Sequence, residues 1–326
     1  MEKYQAWAEK VQKELQEHTD WIEQYANYAR EVLENKEKIE QGKAKFRVFS
    51  PLGCYITLGK MKDGKKVYDL RYLGQSVGEI RIQNGEPLLF VNEKKAESSK
   101  NSFGYELGII EKEPWAKGKK ACEFRAFYTK LVDKDKMPRQ KEHMVEACLF
   151  QELAKTSAKD KQLTQIQPIK FAGCYTHMKT AVKASKAKDG VISVGDKGGE
   201  IDMFCRRKLK DNNETRLTVI EVKDKVEKNE TFEDAMFQAI AYAVFIRELI
   251  HTPSGIEWMK IWGMNRKKLD GITINAVVSI PIEEEPVSDF HGQKIVLGND
   301  KIALYSVSME KEALYEHGEV HFETKL

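Results

Sequence analysis

Two neighbouring segments, GEIDMFCRRKL (Gly199 to Leu209) and RLTVIEVK (Arg216 to Lys223), decide how the second half of this chain is interpreted. The polar run KDNNET separates them, and each is predicted to be a strand. Side chains two apart on a strand project from the same face of the sheet. Glu221 and Lys223 therefore point one way and Val222 the other, which places one acid and one base on the same face as the apolar Val219.

A further acid lies on the first of these strands. Asp202 precedes Glu221 by nineteen residues, and two carboxylates supply the hard oxygen ligands that Mg²⁺ prefers. A bound metal lowers the pKa of a water molecule and neutralises charge that develops on a phosphate. Buried charges otherwise cost free energy unless partners satisfy them. The pattern indicates either a metal-dependent hydrolytic site or a structural Glu–Lys pair.

The elements around these strands indicate a mixed α/β sheet. Residues 140–156 are predicted to form a helix and residues 165–175 a strand, followed by a short helix or loop over 177–188. A helix over 231–250 has one apolar side, and two later strands follow it. The order α-β-β-β-α-β is typical of a mixed sheet covered by helices. Gln238 and Tyr242 are four residues apart and so share one face of the second helix.

Together these segments resemble the PD-(D/E)XK nucleases. The spelling GEID at 199–202 followed by IEVK at 220–223 is closest to the Holliday-junction-resolvase-like and RecB-like branch. The resemblance covers roughly residues 140–282. It implies an α/β fold with a restriction-endonuclease-like αβββαβ mixed sheet core, preceded by a helical segment and an antiparallel β module.

The resemblance also implies roles for single residues. Asp202 and Glu221, with Glu146 from the helix before the sheet, would hold Mg²⁺, which Mn²⁺ can replace. Lys223 would orient the attacking water or stabilise the transition state, and Gln238 and Tyr242 would position the phosphate or the lysine. Ile201 stands where many members have Pro, and Glu142 and Glu152 are alternatives to Glu146.

Basic residues near these motifs are candidates for binding a phosphate backbone. Lys179, Lys183 and Lys186 are spaced to share a helical face, and Arg206 and Arg207 follow the first acid. The stretch 116–141 carries nine Lys or Arg against three acids. Each cluster also fits an ordinary solvated face in a chain of which 32% is charged.

The first 42 residues are predicted to be helical. Apolar residues from Tyr4 to Val32 recur at heptad spacing, while Asp20 to Glu23 resembles a capping box, so a helical hairpin is an alternative to one helix. The apolar face packs either on its own chain or on a second copy in a homo-oligomer. Residues 43–133 are predicted to be an antiparallel β-rich module, with a hairpin at Asn84-Gly85 and a strand in ACEFRAFYTKL (Ala121 to Leu131).

One apparent motif in this module is rejected. Gly74 to Gly78 fits GxSxG, but that chemistry needs a strand, a strained turn and a helix, whereas strands are predicted on both sides. Ser76 is therefore expected in a hairpin. The third predicted domain, which is nuclease-like with C-terminal strands, spans 134–326 and begins with the linker KDKMPRQ at 134–140.

Composition limits the remaining possibilities. The 326 residues carry 54 Lys or Arg and 51 Asp or Glu, a net charge of +3, which argues against a uniformly basic nucleic-acid coat protein. The longest apolar run, Ala239 to Ile246, is too short to span a bilayer, and the N-terminus has no signal-peptide pattern. Five scattered cysteines favour reduced thiols and a cytoplasmic location.

These observations predict a metal-dependent nuclease that hydrolyses nucleic acid, with DNA as the expected substrate, in restriction, anti-phage defence or repair. Two alternatives stay open. One is a catalytically silent module that binds nucleic acid or a partner on the same fold. The other is an RNA-cleaving enzyme with the same site.

Overall fold

The computed structural model describes residues 1–59, 67–72, 74–93, 95, 108–130, 141–155, 165–195, 198–209, 214–224, 231–266, 268–282, 288–317 and 319–322. The fold is α/β with mixed sheets, as predicted at that level. Its helices are α1 Glu2–Glu17, α2 Asp20–Glu34, α3 Lys36–Lys43, α4 Lys119–Lys130, α5 Lys141–Ala154, α6 Phe232–Ile250, α7 Gly255–Ile261 and α8 Lys311–His317.

The strands fall into three sheets. They are β1 Gly53–Ile56, β2 Val67–Tyr72, β3 Gln75–Gln83, β4 Glu86–Val91, β5 Ile110–Pro114, β6 Ile166–Pro168, β7 Lys170–Phe171, β8 Cys174–Thr176, β9 Val182–Lys186, β10 Val191–Val194, β11 Met203–Lys208, β12 Thr215–Val222, β13 Thr273–Pro281, β14 Lys294–Leu297 and β15 Asp300–Met309. None of the helices in the described part of the chain is long and apolar enough to cross a membrane.

The chain divides into two compact units. Unit 1 combines Met1–Arg30, Cys148–Ile169 and Met178–Leu326, and unit 2 combines Glu31–Ala147 with Lys170–His177. This division differs from the predicted domain boundary between residues 42 and 43. The predicted boundary between 133 and 134 and its linker lie outside the described residues.

Unit 1 is built around a six-stranded sheet in the order β14-β15-β13-β12-β11-β6. Strands β12, β13 and β15 run parallel, and β11 pairs with β12 and β6 in antiparallel register. From Leu217 to Val222 every residue of β12 is buried, as expected for a central strand that is covered on both faces.

Helix α6 packs on this sheet against β12 and β13. It begins with a capping box, in which the Thr231 hydroxyl accepts from the Asp234 backbone N–H and the Asp234 carboxylate accepts in return. Fourteen of its nineteen residues are buried, so α6 is an interior helix of the unit rather than an amphipathic surface helix.

The N-terminal residues form three helices, α1 to α3, and the second begins at Asp20. The segment is therefore helical, as predicted, but it is divided into separate helices rather than forming one. The apolar face of α1 packs within unit 1 on α6: Trp7 Nε1 donates to the Phe237 carbonyl at 2.8 Å, and the Tyr4 and Phe237 rings lie 5.1 Å apart. Self-association through this helix stays a prediction.

Unit 2 contains a seven-stranded sheet in the order β5-β4-β3-β2-β1-β8-β7. Strands β1 to β5 form an antiparallel meander, as predicted for the strands of this stretch, while the module limits of 43 and 133 stay a prediction. The Asn84-Gly85 hairpin is also confirmed, with positive φ angles of 49° and 83°, because a tight turn between right-twisted strands favours that conformation. Ser76 lies in the β2–β3 hairpin, and its hydroxyl donates to Asp69.

Two predicted elements are wrong. Ala121 to Leu131 was expected to be a strand, but Lys119–Lys130 is helix α4, in which Ala121, Phe124 and Tyr128 are buried at helical spacing. The short helix or loop expected over 177–188 contains strand β9, which pairs with β10. Lys179, Lys183 and Lys186 therefore do not share a helical face.

Candidate active site

Glu221 and Lys223 lie at the C-terminal end of the central strand β12. The predicted common orientation is confirmed, since Lys223 Nζ donates to Glu221 Oε1 at 2.5 Å. The Lys223 side chain is 7% exposed and the Glu221 side chain 0%. The parallel neighbour β13 holds the end of this strand, because Lys223 N–H donates to the Ser279 carbonyl at 3.1 Å. A rigid, buried backbone thus presents an ion pair.

Asp202 lies across from this pair. It immediately precedes β11 rather than sitting inside the strand, which begins at Met203. Met203 pairs with Ile220, so extending the antiparallel register by one residue places Asp202 opposite Glu221. Directly opposed residues have β-carbons about 5 Å apart and side chains on one face. Asp202 Oδ2 also accepts from the Val222 backbone N–H at 2.8 Å, which fixes its carboxylate at the strand end.

Helix α6 supplies the other two predicted residues. Gln238 Nε2 donates to the Tyr242 hydroxyl at 3.3 Å, one helical turn along the same face. Burial raises the pKa of Tyr242 above its ordinary value, and the charges of Glu221 and Asp202 raise it further. The tyrosine therefore stays protonated beside the carboxylates and retains a proton to donate.

Sequence reasoning missed one contributor, Gly199. A β-carbon there would collide with the Tyr242 hydroxyl and would approach the Val182 carbonyl to 3.0 Å. The Gly199 N–H donates to that carbonyl at 2.8 Å. Only glycine permits the backbone to approach the tyrosine this closely. In the sequence, the need for a residue without a β-carbon is visible only as the first letter of GEID. Glycine is also frequent before strands because it forms turns, so its presence there does not by itself indicate a close contact.

Asp224 is also buried near this strand end. The Tyr315 hydroxyl donates to its Oδ1 atom at 2.5 Å. This contact joins Asp224 to α8.

The donor set of the site fits a hard divalent cation. Mg²⁺ is commonly held by one or two carboxylates, with waters and substrate phosphates completing its shell. Asp202 and Glu221 supply two carboxylates on one face, without the thiolates or imidazoles of a zinc site. Within the described ranges no group of three or more His, Cys, Asp or Glu side chains could hold a metal ion.

Glu146 lies in unit 2. It is on α5, where His143 Nδ1 lies 3.4 Å from its Oε2 atom. The carboxylate also packs beside Gly74, where a β-carbon would approach Glu146 Oε1 to 2.8 Å. Its role as a third metal ligand stays a prediction.

The predicted phosphate-binding residues are dispersed over unit 1. Lys183 and Lys186 are exposed on β9. Lys179 precedes β9, and its backbone forms an isolated antiparallel β-bridge with that of Glu200. The Val182 carbonyl accepts from the backbone N–H of Gly199, which lies beside Tyr242. Lys183 is the next residue after Val182, so among the predicted phosphate-binding cations it is adjacent in sequence to a residue that contacts the candidate site.

Arg206 and Arg207 point to opposite faces of β11. Arg207 stacks over the Tyr305 ring at 5.1 Å. Arg206 shares the face of Asp202, but the buried ring of Phe204, packed on Trp262, separates them. Arg206 donates to the Gly263 carbonyl at 3.1 Å and lines a cleft of about 470 Å³ with Lys208 and Arg266. These arginines therefore do not line the candidate site.

Comparison of the chain with protein-family models, with curated proteins and with solved structures found no match.

Proposed function

We propose that this protein is a divalent-metal-dependent nuclease whose active site is formed by Asp202, Glu221, Lys223, Gln238 and Tyr242. The observation that carries the proposal is the buried Lys223–Glu221 pair opposite Asp202, at the end of a strand where the preceding residues on that face, Leu217 and Val219, are apolar. Titratable groups gathered in a buried position are characteristic of active sites. A structural ion pair alone would not need the second carboxylate or the tyrosine.

Each residue has a chemical task in this proposal. Asp202 and Glu221 would hold the metal ion, which when bound neutralises charge on the scissile phosphate and makes a water molecule more acidic. Lys223 would donate to a phosphate oxygen or to the attacking water, where negative charge grows in the transition state. Tyr242, protonated and held by Gln238, would orient the lysine or the phosphate.

The arrangement of elements supports the proposed restriction-endonuclease-like core. Along the chain α5 precedes β6, β11 and β12, and α6 and β13 follow. The three strands pair antiparallel, and β13 joins β12 in parallel. This is the αβββαβ order, with β7 to β10 as an insertion after the first strand.

The direct test is incubation of the protein with plasmid, linear DNA and RNA, each with Mg²⁺, with Mn²⁺ and with EDTA. We expect cleavage with either metal and none with EDTA. Cleavage of RNA alone would support the RNA-cleaving alternative. Activity that persists in EDTA would contradict the proposal.

Matched variants separate the site from the scaffold. Asp202→Asn is expected to abolish cleavage and the rise in melting temperature that Mg²⁺ produces in the wild type, since a ligand stabilises only the state that binds it. Glu214→Gln is the control, because this acid lies beside β12 at its other end and pairs with Arg216 at 2.8 Å. If Glu214→Gln loses as much cleavage as Asp202→Asn, the loss reflects a general change in stability and not a role of Asp202 in the site.

The catalytically silent alternative makes a distinct prediction. A binding module would retain nucleic acid in EDTA and would show no cleavage in any of the metal conditions. Its affinity would also be unchanged in Lys223→Gln.

A further inference from the structure

An extended segment of unit 2 exposes every second side chain. Lys45, Arg47 and Phe49 point outward, while Phe46 is buried against the Tyr68 ring at 5.0 Å. Trp115 Nε1 donates to the Arg47 carbonyl at 2.9 Å and holds the backbone in place. Residues 46–49 belong to no strand, and the exposed side of the segment carries two cations and one aromatic ring.

Phe49 is 51% exposed, the most of any phenylalanine in the described residues. The Arg47 guanidinium lies 4.8 Å from its ring centroid, a distance typical of cation–π stacking. The exposed part of the ring is open to a second planar group. An aromatic ring kept in water and backed by a guanidinium is a feature of surfaces that stack bases.

Helix α4 forms the other wall of a groove beside this ring. The groove encloses about 310 Å³ and is lined by Phe49, Leu52, Arg125, Ala126, Thr129 and Lys130. These described lining residues include two cations and no acid. Arg125 is fixed by donating to the carbonyls of Trp115 and Ala116, so its charge stays at the groove without a further ordering cost.

We propose that this groove binds single-stranded nucleic acid, with a base stacked on Phe49 and phosphates held by Arg47 and Lys130. The inference rests on the proposed function and deepens it, because it names a strand-binding surface for the same substrate class. The charge of the groove is complementary to a phosphate backbone. The exposed π face favours a base over an acidic peptide, since every base offers a flat ring whatever its sequence.

The test is a titration of a fluorescent oligothymidine strand, followed by anisotropy in EDTA so that nothing is cleaved. Phe49→Ala is expected to weaken binding about tenfold or more, the usual effect of losing one stacking ring. Phe49→Tyr should bind like the wild type and Phe49→Leu like Phe49→Ala. Arg47→Gln and Lys130→Gln should each reduce the salt slope by about 0.7, the value for one phosphate contact on a single strand.

Two controls lie on unit 2 outside the groove. Ile109 is 46% exposed and Lys112 is exposed, so Ile109→Ala and Lys112→Gln should leave affinity unchanged. Binding that survives in Phe49→Leu would overturn the stacking proposal and favour an apolar protein partner. A wild type that binds no strand would also overturn it. If Phe49→Ala fails to fold, the comparison of Phe49→Tyr with Phe49→Leu decides the question.

The groove and the active site fail independently. If binding depends on Phe49 but the protein cleaves no nucleic acid with any metal, the groove proposal stands and the proposed nuclease function is wrong. If the protein cleaves nucleic acid and the Phe49 variants change neither cleavage nor binding, the proposed nuclease function stands and the groove proposal is wrong.

Discussion

Replacing Lys223 by Met is expected to lower the stability of unit 1 as well as the rate of cleavage. The substitution keeps the length of the side chain and removes its charge. Both partners are buried, with 7% of Lys223 and 0% of Glu221 exposed, and their charged atoms lie 2.5 Å apart. Removing one member of such a pair leaves an uncompensated charge in the interior, which costs about 3–5 kcal/mol.

The assay compares urea unfolding of the wild type, Lys223→Met, Glu221→Gln and the double variant. Because the double variant lacks both charges of the pair, most of the lost stability should return. The exposed pair of Lys13 and Glu17, with 74% and 55% of the side chains accessible, supplies the control. There Lys13→Met should cost no more than about 0.5 kcal/mol.

Cleavage should behave differently from stability. Lys223→Met alone should lose about 10²–10³ in rate, the effect of removing one donor to transition-state charge. The double variant should fold nearly as well as the wild type and still lose at least as much, because it also lacks the proposed metal ligand Glu221. If the double variant loses the sum of the stabilities that the two single variants lose, Lys223 and Glu221 are not an energetically coupled pair. A Lys223→Met variant that cleaves like the wild type would remove Lys223 from the chemistry, and such a double variant would remove Glu221 as well.

Three further predictions concern single side chains. Iodoacetamide at about pH 8 should label exposed Cys122 but not Cys148, because burial raises the pKa of Cys148 to about 11; peptide mass spectrometry checks this, and labelling of native Cys148 would contradict it. Burial also lowers the pKa of His291 below 6.5, so the unfolded state takes up the proton first and stability falls as pH drops below that value. His291→Asn should therefore flatten the acid limb of a melting-temperature profile, and an unchanged limb would count against this. Tyr242→Phe should cost about 1 kcal/mol or less yet reduce single-turnover cleavage, whereas unchanged cleavage would assign the tyrosine to packing.

The charged end of β12 could be predicted because strand periodicity is local. Spacing by two residues suffices to place Glu221 and Lys223 on one face, whatever surrounds them. The same holds for the Gln238–Tyr242 contact on α6, which depends on helical spacing alone. Asp202 was joined to Glu221 as a second carboxylate and through the family resemblance, whereas its position opposite Glu221 depends on the pairing of β11 with β12.

Local periodicity also explains the errors. In α4, Cys122, Phe124, Ala126 and Tyr128 alternate as in a strand, although the buried set of the helix repeats at three and four residues. Packing on neighbouring elements decides between the two, and that information is absent from a short window. The parallel pairing of β1 with β8, which brings the Cys54 and Cys174 sulfurs to 3.7 Å, joins residues 120 apart and has no local signal.

The packing of α1 on α6 has a consequence for synthesis of the protein. The contact from Trp7 to Phe237 spans 230 residues, and translation proceeds at about 5–20 residues per second. The apolar face of α1 thus waits roughly 10–50 seconds on the nascent chain before its partner leaves the ribosome. During that interval the native contact with α6 cannot cover this face.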